Sequence, residues 1–296
     1  MSIIDTPFKT TDKIPCLKQQ GVTTVIRYYN FTNSSVFPNK KLELPEAEAL
    51  TTNGLQIAVV FQQRQNSASD FSDLKGFAAG REAFRHAQNS IGQPSGTGIY
   101  FSCDFDASIS ELRNNIIPYF QGVKRAFEQE SGGNAAYRVG VYGSGLTGNT
   151  LTSEGLVQLV WLAMSRGFRG TREALDAGAF NLAQVFPERK LCGIGVDFND
   201  PNPNRPDFGA FRLDVDVVVP TPIPAPGGTV GNPHRVIARS GLRLREGPGT
   251  QFDIIGGLGF GQVVSVTSTS DGFAQVDVEG DGRVDGFASM SFLEPV

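Results

Sequence analysis

The sequence contains very little histidine: His86 and His234 are the two occurrences in 296 residues. A cysteine nucleophile needs an imidazole beside the thiol, and zinc hydrolases usually hold their metal with two or three imidazole-rich ligands. His86 falls inside a predicted helix, and we place His234 in a linker. The scarcity of histidine therefore argues against cysteine peptidases, zinc amidases and serine triads.

Cysteine is also scarce. Cys16, Cys103 and Cys192 are too few and too scattered for a disulfide framework, and no pair has the spacing of a metal knuckle. We therefore expect three free thiols buried in the core.

Long apolar runs and an excess of basic charge are missing as well. No run approaches the roughly 20 residues that cross a bilayer, and the first ten residues lack the basic and apolar segments of a secretory signal. Thirty acidic and 26 basic residues give a formal charge of -4, which supplies no electrostatic reason to bind nucleic acid or an anionic membrane. We expect neither partner, and a target outside the cytoplasm would be reached by a non-Sec route.

A proline-rich segment predicts the domain organisation. Four prolines between residues 220 and 226 alternate with other residues, which is typical of an extended, semi-rigid linker. We predict a first domain over residues 1–216, the linker over 217–235 and a second domain over 236–296.

The two predicted domains differ in their patterns. The first alternates eight short β-branched or aromatic runs with longer amphipathic stretches, which predicts the α/β class and a (β/α)₈ TIM-type barrel. Helices are predicted over 71–91 and 109–130, the second with a capping box formed by Ser108 and Glu111. The second domain has short alternating runs between glycine turns, which predicts a small all-β, SH3-like barrel.

Aspartates follow several predicted strands at the ends where such barrels carry their chemistry. Asp5 ends strand one, Asp104 and Asp106 end strand four, and Asp197 ends strand eight. Residues 104 and 106 are two apart, so both side chains should leave the same face. Clustered carboxylates raise one another's pKa, which provides the protonated and ionised pair that glycoside hydrolysis needs. A single aspartate at a strand end also caps helices or forms turns, and this alternative stays open for each.

Polar residues predicted in the same layer would bind sugar hydroxyls or stack on a sugar ring. They are Arg27, Tyr28 or Tyr29, Gln62, Tyr142, Ser144 and Gln184, with Tyr29 chosen of the two neighbouring tyrosines. Trp161, the single tryptophan, lies in an apolar run and is expected in the core.

An acidic segment near the end has the spacing of a calcium loop. Asp277, Glu279, Asp281 and Asp285 occupy relative positions 1, 3, 5 and 9, with glycine at position 6. Position 12 is Ala288 instead of a bidentate glutamate, and the flanking residues favour strands over helices. A hairpin turn with solvated charges is the alternative, and we expect no other cofactor.

Four segments of the first domain carry a resemblance to a known family: IIDTP, IYFSCDFDAS, VGVYGSG and AQVFPERKLCGIGVDFN. They are similar to glycoside-hydrolase-like barrels related to the family 25 muramidases. The resemblance implies that Asp5, Asp104, Asp106, Gln184 and Asp197 line the active site. The muramidases place a glutamate as general acid where this chain has Asp106, which is one methylene shorter.

The segment LRLREGPG resembles bacterial SH3 domains, which commonly target wall hydrolases to peptidoglycan. We therefore predict a monomeric, peptidoglycan-directed, muramidase-like glycoside hydrolase acting at the cell wall, in the periplasm or outside the cell. Asp106 would be the acid, Asp104 the charge-stabilising or base partner, and Asp5 and Asp197 would shape their pKa values. Two other interpretations remain open: a non-catalytic wall-binding protein, and a lysis or toxin effector delivered by a phage or a contractile injection machine.

Overall fold

Short strands rich in β-branched and aromatic residues build the first part of the computed structural model. The structure describes residues 2–133, 136–213, 231–239, 241–252, 254–278 and 284–296. The chain divides into two compact units, Met1–Val218 and Val219–Val296.

Eight strands close into a barrel in chain order in the first unit. They are β1 (Ser2–Asp5), β2 (Val22–Tyr29), β3 (Gln56–Phe61), β4 (Gly98–Ser102), β5 (Arg138–Gly143), β6 (Leu159–Leu162), β7 (Leu182–Leu191) and β8 (Ile194–Pro201). From β1 to β7, each strand pairs in parallel with the next one along the chain. This arrangement confirms the predicted α/β class and the closed eight-stranded barrel.

The eighth strand differs from the prediction because it runs antiparallel to both β7 and β1. Repeated βα units would make β8 parallel, but a tight turn at Cys192 and Gly193 leaves no room for a helix. Both turn residues have positive φ, 51° and 85°, as a two-residue hairpin turn requires. Asp197 therefore lies within β8, where it pairs with Asp5 across the two strands.

Seven helices surround the barrel. They are α1 (Ile14–Gln19), α2 (Leu44–Thr52), α3 (Asp73–Arg85), α4 (Ile109–Glu111), α5 (Ile117–Glu130), α6 (Gly145–Ser153) and α7 (Thr171–Asp176), among the described residues. A π-helical segment extends α3 to Ile91, and another joins α4 to α5. The Ser108 and Glu111 side chains form the predicted capping box at the start of α4. None of the helices within the described ranges combines the length and apolar character that crossing a bilayer requires.

The barrel interior is filled by alternate residues of the strands, because successive side chains of a strand point to opposite faces. Its buried members include Ile3, Ile26, Val60, Tyr100 and Trp161. A larger apolar layer lies between the strands and the helices. Trp161 is 1 % exposed, which confirms its predicted place in the core.

The second unit is an antiparallel sheet, which confirms the predicted all-β domain. Its strands are β9 (Asn232–Val236), β10 (Leu242–Arg245), β11 (Ile254–Leu258), β12 (Val263–Ser270), β13 (Phe273–Asp277), β14 (Gly286–Ser289) and β15 (Leu293–Pro295). His234 lies in β9 rather than in a linker, so that placement was wrong. Most of the predicted linker lies outside the described residues.

The predicted calcium loop is described only in part. Glu279 and Asp281 lie outside the described residues. Asp285 Oδ2 accepts a hydrogen bond of 2.7 Å from the backbone N–H of Val278. Within the described ranges no group of three or more acidic, histidine or cysteine side chains is placed to hold a metal. Calcium binding remains a prediction.

Cys16 and Cys192 form a disulfide, so the expectation of three free thiols was wrong for these two residues. They are 176 residues apart, and their Cα atoms lie 5.9 Å apart because barrel closure brings the end of the last hairpin beside α1. Cys103 is free and buried, as expected.

Arg27 lies outside the barrel mouth, contrary to the prediction that it binds substrate. Its side chain is fully buried against α2, where Nε and Nη2 donate to the two Glu46 carboxylate oxygens at 2.9 and 3.2 Å. Nη1 donates to the backbone oxygen of Thr6, and Nη2 also donates to that of Asn39. Arg27 is therefore a structural residue whose charge is neutralised inside the protein.

The Glu46→Gln variant should lower the free energy of unfolding by about 3–5 kcal/mol, because it keeps the side-chain shape but leaves the Arg27 charge buried without an anion. The matched control is Arg125→Ala, which breaks a half-exposed ion pair with Asp73 and should cost less than about 1 kcal/mol. Urea unfolding followed by the fluorescence of Trp161 reports on the barrel alone. Equal losses for the two variants would contradict this prediction.

Candidate active site

A cavity of about 240 Å³ opens at the barrel mouth; we call it the central cavity. Alternate side chains of each strand face the inside of the barrel. They are apolar along most of the strand and polar at its C-terminal end. The lining residues are Asp5, Tyr28, Val60, Gln62, Ser102, Asp104, Tyr142, Trp161, Met164, Gln184 and Asp197. Six of the predicted site residues thus meet in one place: Asp5, Gln62, Asp104, Tyr142, Gln184 and Asp197.

Asp5 and Asp197 form the centre of the site. Gln184 Nε2 donates to Oδ2 of both carboxyls, at 3.2 Å for Asp5 and 2.9 Å for Asp197, so the two oxygens lie within about 6 Å of each other. Asn199 Nδ2 donates to Asp5 Oδ2 at 2.8 Å, and the Tyr28 hydroxyl donates to Oδ1 at 3.4 Å. Asp5 is 3 % exposed, so these donors take the place of water around its charge.

Burial and, next, the nearby Asp197 charge raise the pKa of Asp5 to about 7, against the lowering effect of the hydrogen bonds from Asn199 and Gln184. Burial, followed by the negative charges of Glu188 and Asp104, raises the pKa of Asp197 to about 6. Within the described part of the chain, Asp197 Oδ1 has no hydrogen-bond partner. Near neutral pH, protons therefore remain on part of this carboxyl pair, as an acid-base site requires.

Asp104 lies at the rim of the central cavity, two residues beyond the end of β4, with an exposed side chain. Gln62 Nε2 donates to Asp104 Oδ2 at 3.3 Å. Partial removal of water raises the pKa of Asp104, whereas Gln62 and the Lys40 charge lower it.

Lys40 is a site residue that the sequence reasoning missed. Its Nζ donates to the backbone oxygen of Gln62 at 3.0 Å and to Oε1 at 3.3 Å, and it lies 4.5 Å from the centre of the Tyr28 ring. Burial lowers the pKa of Lys40 to about 8. Lys40 comes from an irregular loop between β2 and α2, where no periodic pattern marks a lysine as part of a site.

Asp106 does not line the central cavity, contrary to the predicted role as acid in the mouth. Strand β4 ends at Ser102, so the alternation of a strand does not extend to residue 106. Asp106 Oδ1 accepts from the backbone N–H of Arg169 at 2.8 Å, and Oδ2 lies 3.2 Å from the Arg169 guanidinium. Asp106 therefore fixes the loop before α7.

Tyr29 was also the wrong choice of the two tyrosines. Its hydroxyl donates to Gln93 Oε1 at 2.8 Å, and its ring packs edge-on against His86 at 4.8 Å, in the layer outside the barrel. Tyr28 faces the mouth instead. Both faces of β2 are largely buried, so the sequence shows no apolar-polar alternation that would tell the two apart. Ser144 also lies elsewhere and caps α6.

Two further depressions adjoin the central cavity. The outer cavity, of about 260 Å³, shares Asp5, Tyr28 and Asp197 with it and is also lined by Phe8 and Glu188. The apolar groove, of about 510 Å³, shares Met164 and Gln184 and continues over residues of β6, α7 and β7. The mouth is therefore an extended cleft with the carboxyl pair near its middle.

Known proteins with similar sequences and structures match the barrel. The candidate peptidoglycan hydrolase Rv2525c of Mycobacterium tuberculosis is 31 % identical over 201 residues, which take up 66 % of this chain and 78 % of that protein. A crystal structure of Rv2525c, described as a Tat-secreted protein in complex with HEPES, superimposes with a TM-score of 0.58 at 25 % identity, covering 71 % of this chain and 98 % of the other.

Two proteins of Bacillus subtilis (strain 168), both named as uncharacterized, match as well. YbfG is 35 % identical over 168 residues and FadG is 30 % identical over 162 residues. Each match takes up 54 % of this chain, but only 22 % of YbfG and 27 % of FadG. The chain thus spans about a quarter of the length of these two relatives.

Two family matches cover most of the chain. Residues 240–294 match the bacterial SH3 domain, in agreement with the all-β second unit. Residues 15–190 match the Rv2525c-like, glycoside hydrolase-like domain, over the barrel that carries the carboxyl pair. The chain therefore belongs to the Rv2525c-like family of glycoside hydrolase-like domains and carries a bacterial SH3 domain after it.

Proposed function

We propose that the barrel hydrolyses glycosidic bonds of peptidoglycan, with the muramic acid linkage as its target. The observation that carries the proposal is the meeting of Asp5, Asp104 and Asp197 in one cavity, two of them with pKa values raised to about 7 and 6. Glycoside hydrolysis needs one carboxyl group that keeps its proton near a second that is ionised. The relationship to Rv2525c supports peptidoglycan as the substrate.

The surroundings of each carboxyl suggest its role. Partial burial raises the pKa of Asp104, but the hydrogen bond from Gln62 and the nearby Lys40 charge oppose this rise at an exposed side chain. We therefore assign Asp104 as the ionised partner, which would stabilise positive charge on the sugar or take a proton from water. Gln184 is held in place by the Tyr142 hydroxyl, which donates to Gln184 Oε1 at 2.7 Å. Gln184 and Tyr142 would position the sugar beside the Asp5 and Asp197 pair.

The extended cleft and the second unit suit a polymeric substrate. The outer cavity and the apolar groove adjoin the central cavity on residues that they share with it, so a glycan chain can occupy more than the central position. The SH3 domain would hold the protein on peptidoglycan. The disulfide between Cys16 and Cys192 supports a location outside the reducing cytoplasm, at the wall, because disulfides persist in oxidising compartments.

A second candidate is a non-catalytic wall-binding protein, and the position of Asp106 favours it. The carboxyl expected to act as acid is bound by Arg169 outside the cavity. Sedimentation of the full chain with purified walls, without release of reducing ends, would support binding over hydrolysis.

The Asp104→Asn variant should release reducing ends from purified peptidoglycan at least about 100-fold more slowly than wild type, since it removes the ionised partner. Asp106→Asn is the matched comparison and should lose less, because this side chain contacts Arg169 and not the cavity. Mass spectrometry of the released ends identifies the cleaved linkage. Activity that survives Asp104→Asn unchanged would remove Asp104 from the mechanism.

The Asp5→Asn variant should be inactive, yet unfold at a higher temperature than wild type at pH 8. The pKa of Asp5 rises from 3.8 to about 7 on folding, so wild type loses stability as the pH rises through this range and the buried carboxyl ionises. The asparagine removes a cost of up to about 4 kcal/mol above pH 7 and none at pH 4.

Melting temperatures at pH 4 and pH 8 test this expectation, with Asp176→Asn on the exposed end of α7 as the control. A gain in melting temperature that is equal at both pH values would show that ionisation of Asp5 is not its cause.

A further inference from the structure

Cleavage of a glycosidic bond requires a proton donor at the leaving oxygen, and the donor must reach solvent to regain its proton. Asp5 accepts three hydrogen bonds at the buried centre of the site, and Asp106 contacts Arg169 outside it. Asp104 accepts a hydrogen bond from Gln62 and is already assigned as the ionised partner. Asp197 accepts from Gln184 at Oδ2, and its Oδ1 is buried, so neither oxygen is open to solvent exchange. These four carboxyls are poorly placed for the role of donor.

Glu188 is an acidic residue of the outer cavity, which adjoins the central cavity at Asp5 and Asp197. It belongs to the part of β7 that pairs with β8 as a hairpin, and it lines the outer cavity together with Asp5 and Asp197. Its charge also acts on Asp197, whose pKa it raises. The Glu188 side chain is exposed, so water can reach it. Glu188 therefore faces the same two aspartates that line the central cavity, from the solvent side.

A glycine makes room for the Glu188 carboxyl. Gly195 lies on the neighbouring strand β8, and a Cβ atom at this position would collide with Glu188 Oε1. Any other residue at 195 would make the Glu188 carboxyl shift, and Gly195 itself lines the outer cavity.

The hairpin that carries Glu188 is held in two places. The Thr6 hydroxyl donates to the backbone oxygen of Gly195 at 2.7 Å, and Thr6 directly follows Asp5 in the chain. The disulfide ties the turn at Cys192 to α1. These contacts fix the hairpin relative to β1, so Glu188 and Asp5 belong to one rigid part of the site.

We propose that Glu188 is the proton donor of the hydrolysis, a role that rests on the proposed function. The Glu188 carboxyl gives its proton to the glycosidic oxygen while the bond from that oxygen to the anomeric carbon breaks. The electron pair of the bond stays on the oxygen, which leaves as a hydroxyl group. Water adds its oxygen to the anomeric carbon, and its surplus proton passes to Asp104; exchange with solvent then restores both carboxyls.

The test compares Glu188→Gln with wild type on two substrates. The sugar leaving group of peptidoglycan needs a proton, whereas the dinitrophenolate of the 2,4-dinitrophenyl glycoside of N-acetylmuramic acid leaves without one. We expect kcat on peptidoglycan to fall about 10²- to 10⁴-fold and kcat on the aryl glycoside to change less than about tenfold.

Two controls separate chemistry from folding. Glu173→Gln changes an exposed glutamate of α7 outside the cleft and should retain wild-type kcat on peptidoglycan. The melting temperature of Glu188→Gln should equal that of wild type, since the side chain is exposed.

Three results would overturn the assignment or its basis. Wild-type hydrolysis of peptidoglycan by Glu188→Gln shows that Glu188 is not the donor. An equal loss on both substrates assigns Glu188 to binding or positioning instead. Failure of wild type to release reducing ends from peptidoglycan refutes the proposed function and with it the donor role. Wild-type activity that Glu188→Gln leaves unchanged refutes the donor role alone.

Discussion

The antiparallel pairing of β8 with β1 is the constraint on which the rest of the site depends. It sets Asp197, in the middle of β8, opposite Asp5 of β1. Two carboxyl groups therefore lie side by side in a largely buried place. Such a pair is tolerated because Gln184 bridges it and because burial keeps protons on it near neutral pH. The same reversal of direction creates the hairpin beyond the barrel and so supplies the outer wall of the cleft.

The barrel contains two kinds of buried charged pair, one of opposite sign and one of like sign. Arg27 and Glu46 neutralise each other, and the Arg27 guanidinium also donates to backbone oxygens, so this pair connects β2 to α2 without excess charge. Asp5 and Asp197 have the same sign, and Asp197 Oδ1 has no partner within the described residues. The first arrangement serves the fold, and the second costs stability at a place where acid-base chemistry can use it.

The strands and much of the site could be predicted from the sequence because they depend on local patterns and on strand ends. The sequence failed where the deciding contact is distant or irregular. Asp106 follows a strand that ends earlier than its pattern indicates. Tyr29 lies on a strand buried on both faces. The partners Cys16 and Cys192 are 176 residues apart. Lys40 lies in a loop and Glu188 in a hairpin. The sequence pattern of neither segment indicates that its charged residue belongs to a site.

The order of the strands also has a consequence for biosynthesis. Strand β1 leaves the ribosome first, and the strand that completes its pairing, β8, is synthesised only after nearly the whole barrel. Until then β1 has an open edge and Asp5 lacks Asp197. A nascent or truncated chain that stops before β8 therefore has neither a closed sheet nor the paired carboxyls, so the completed fold and the assembled site arise in the same event.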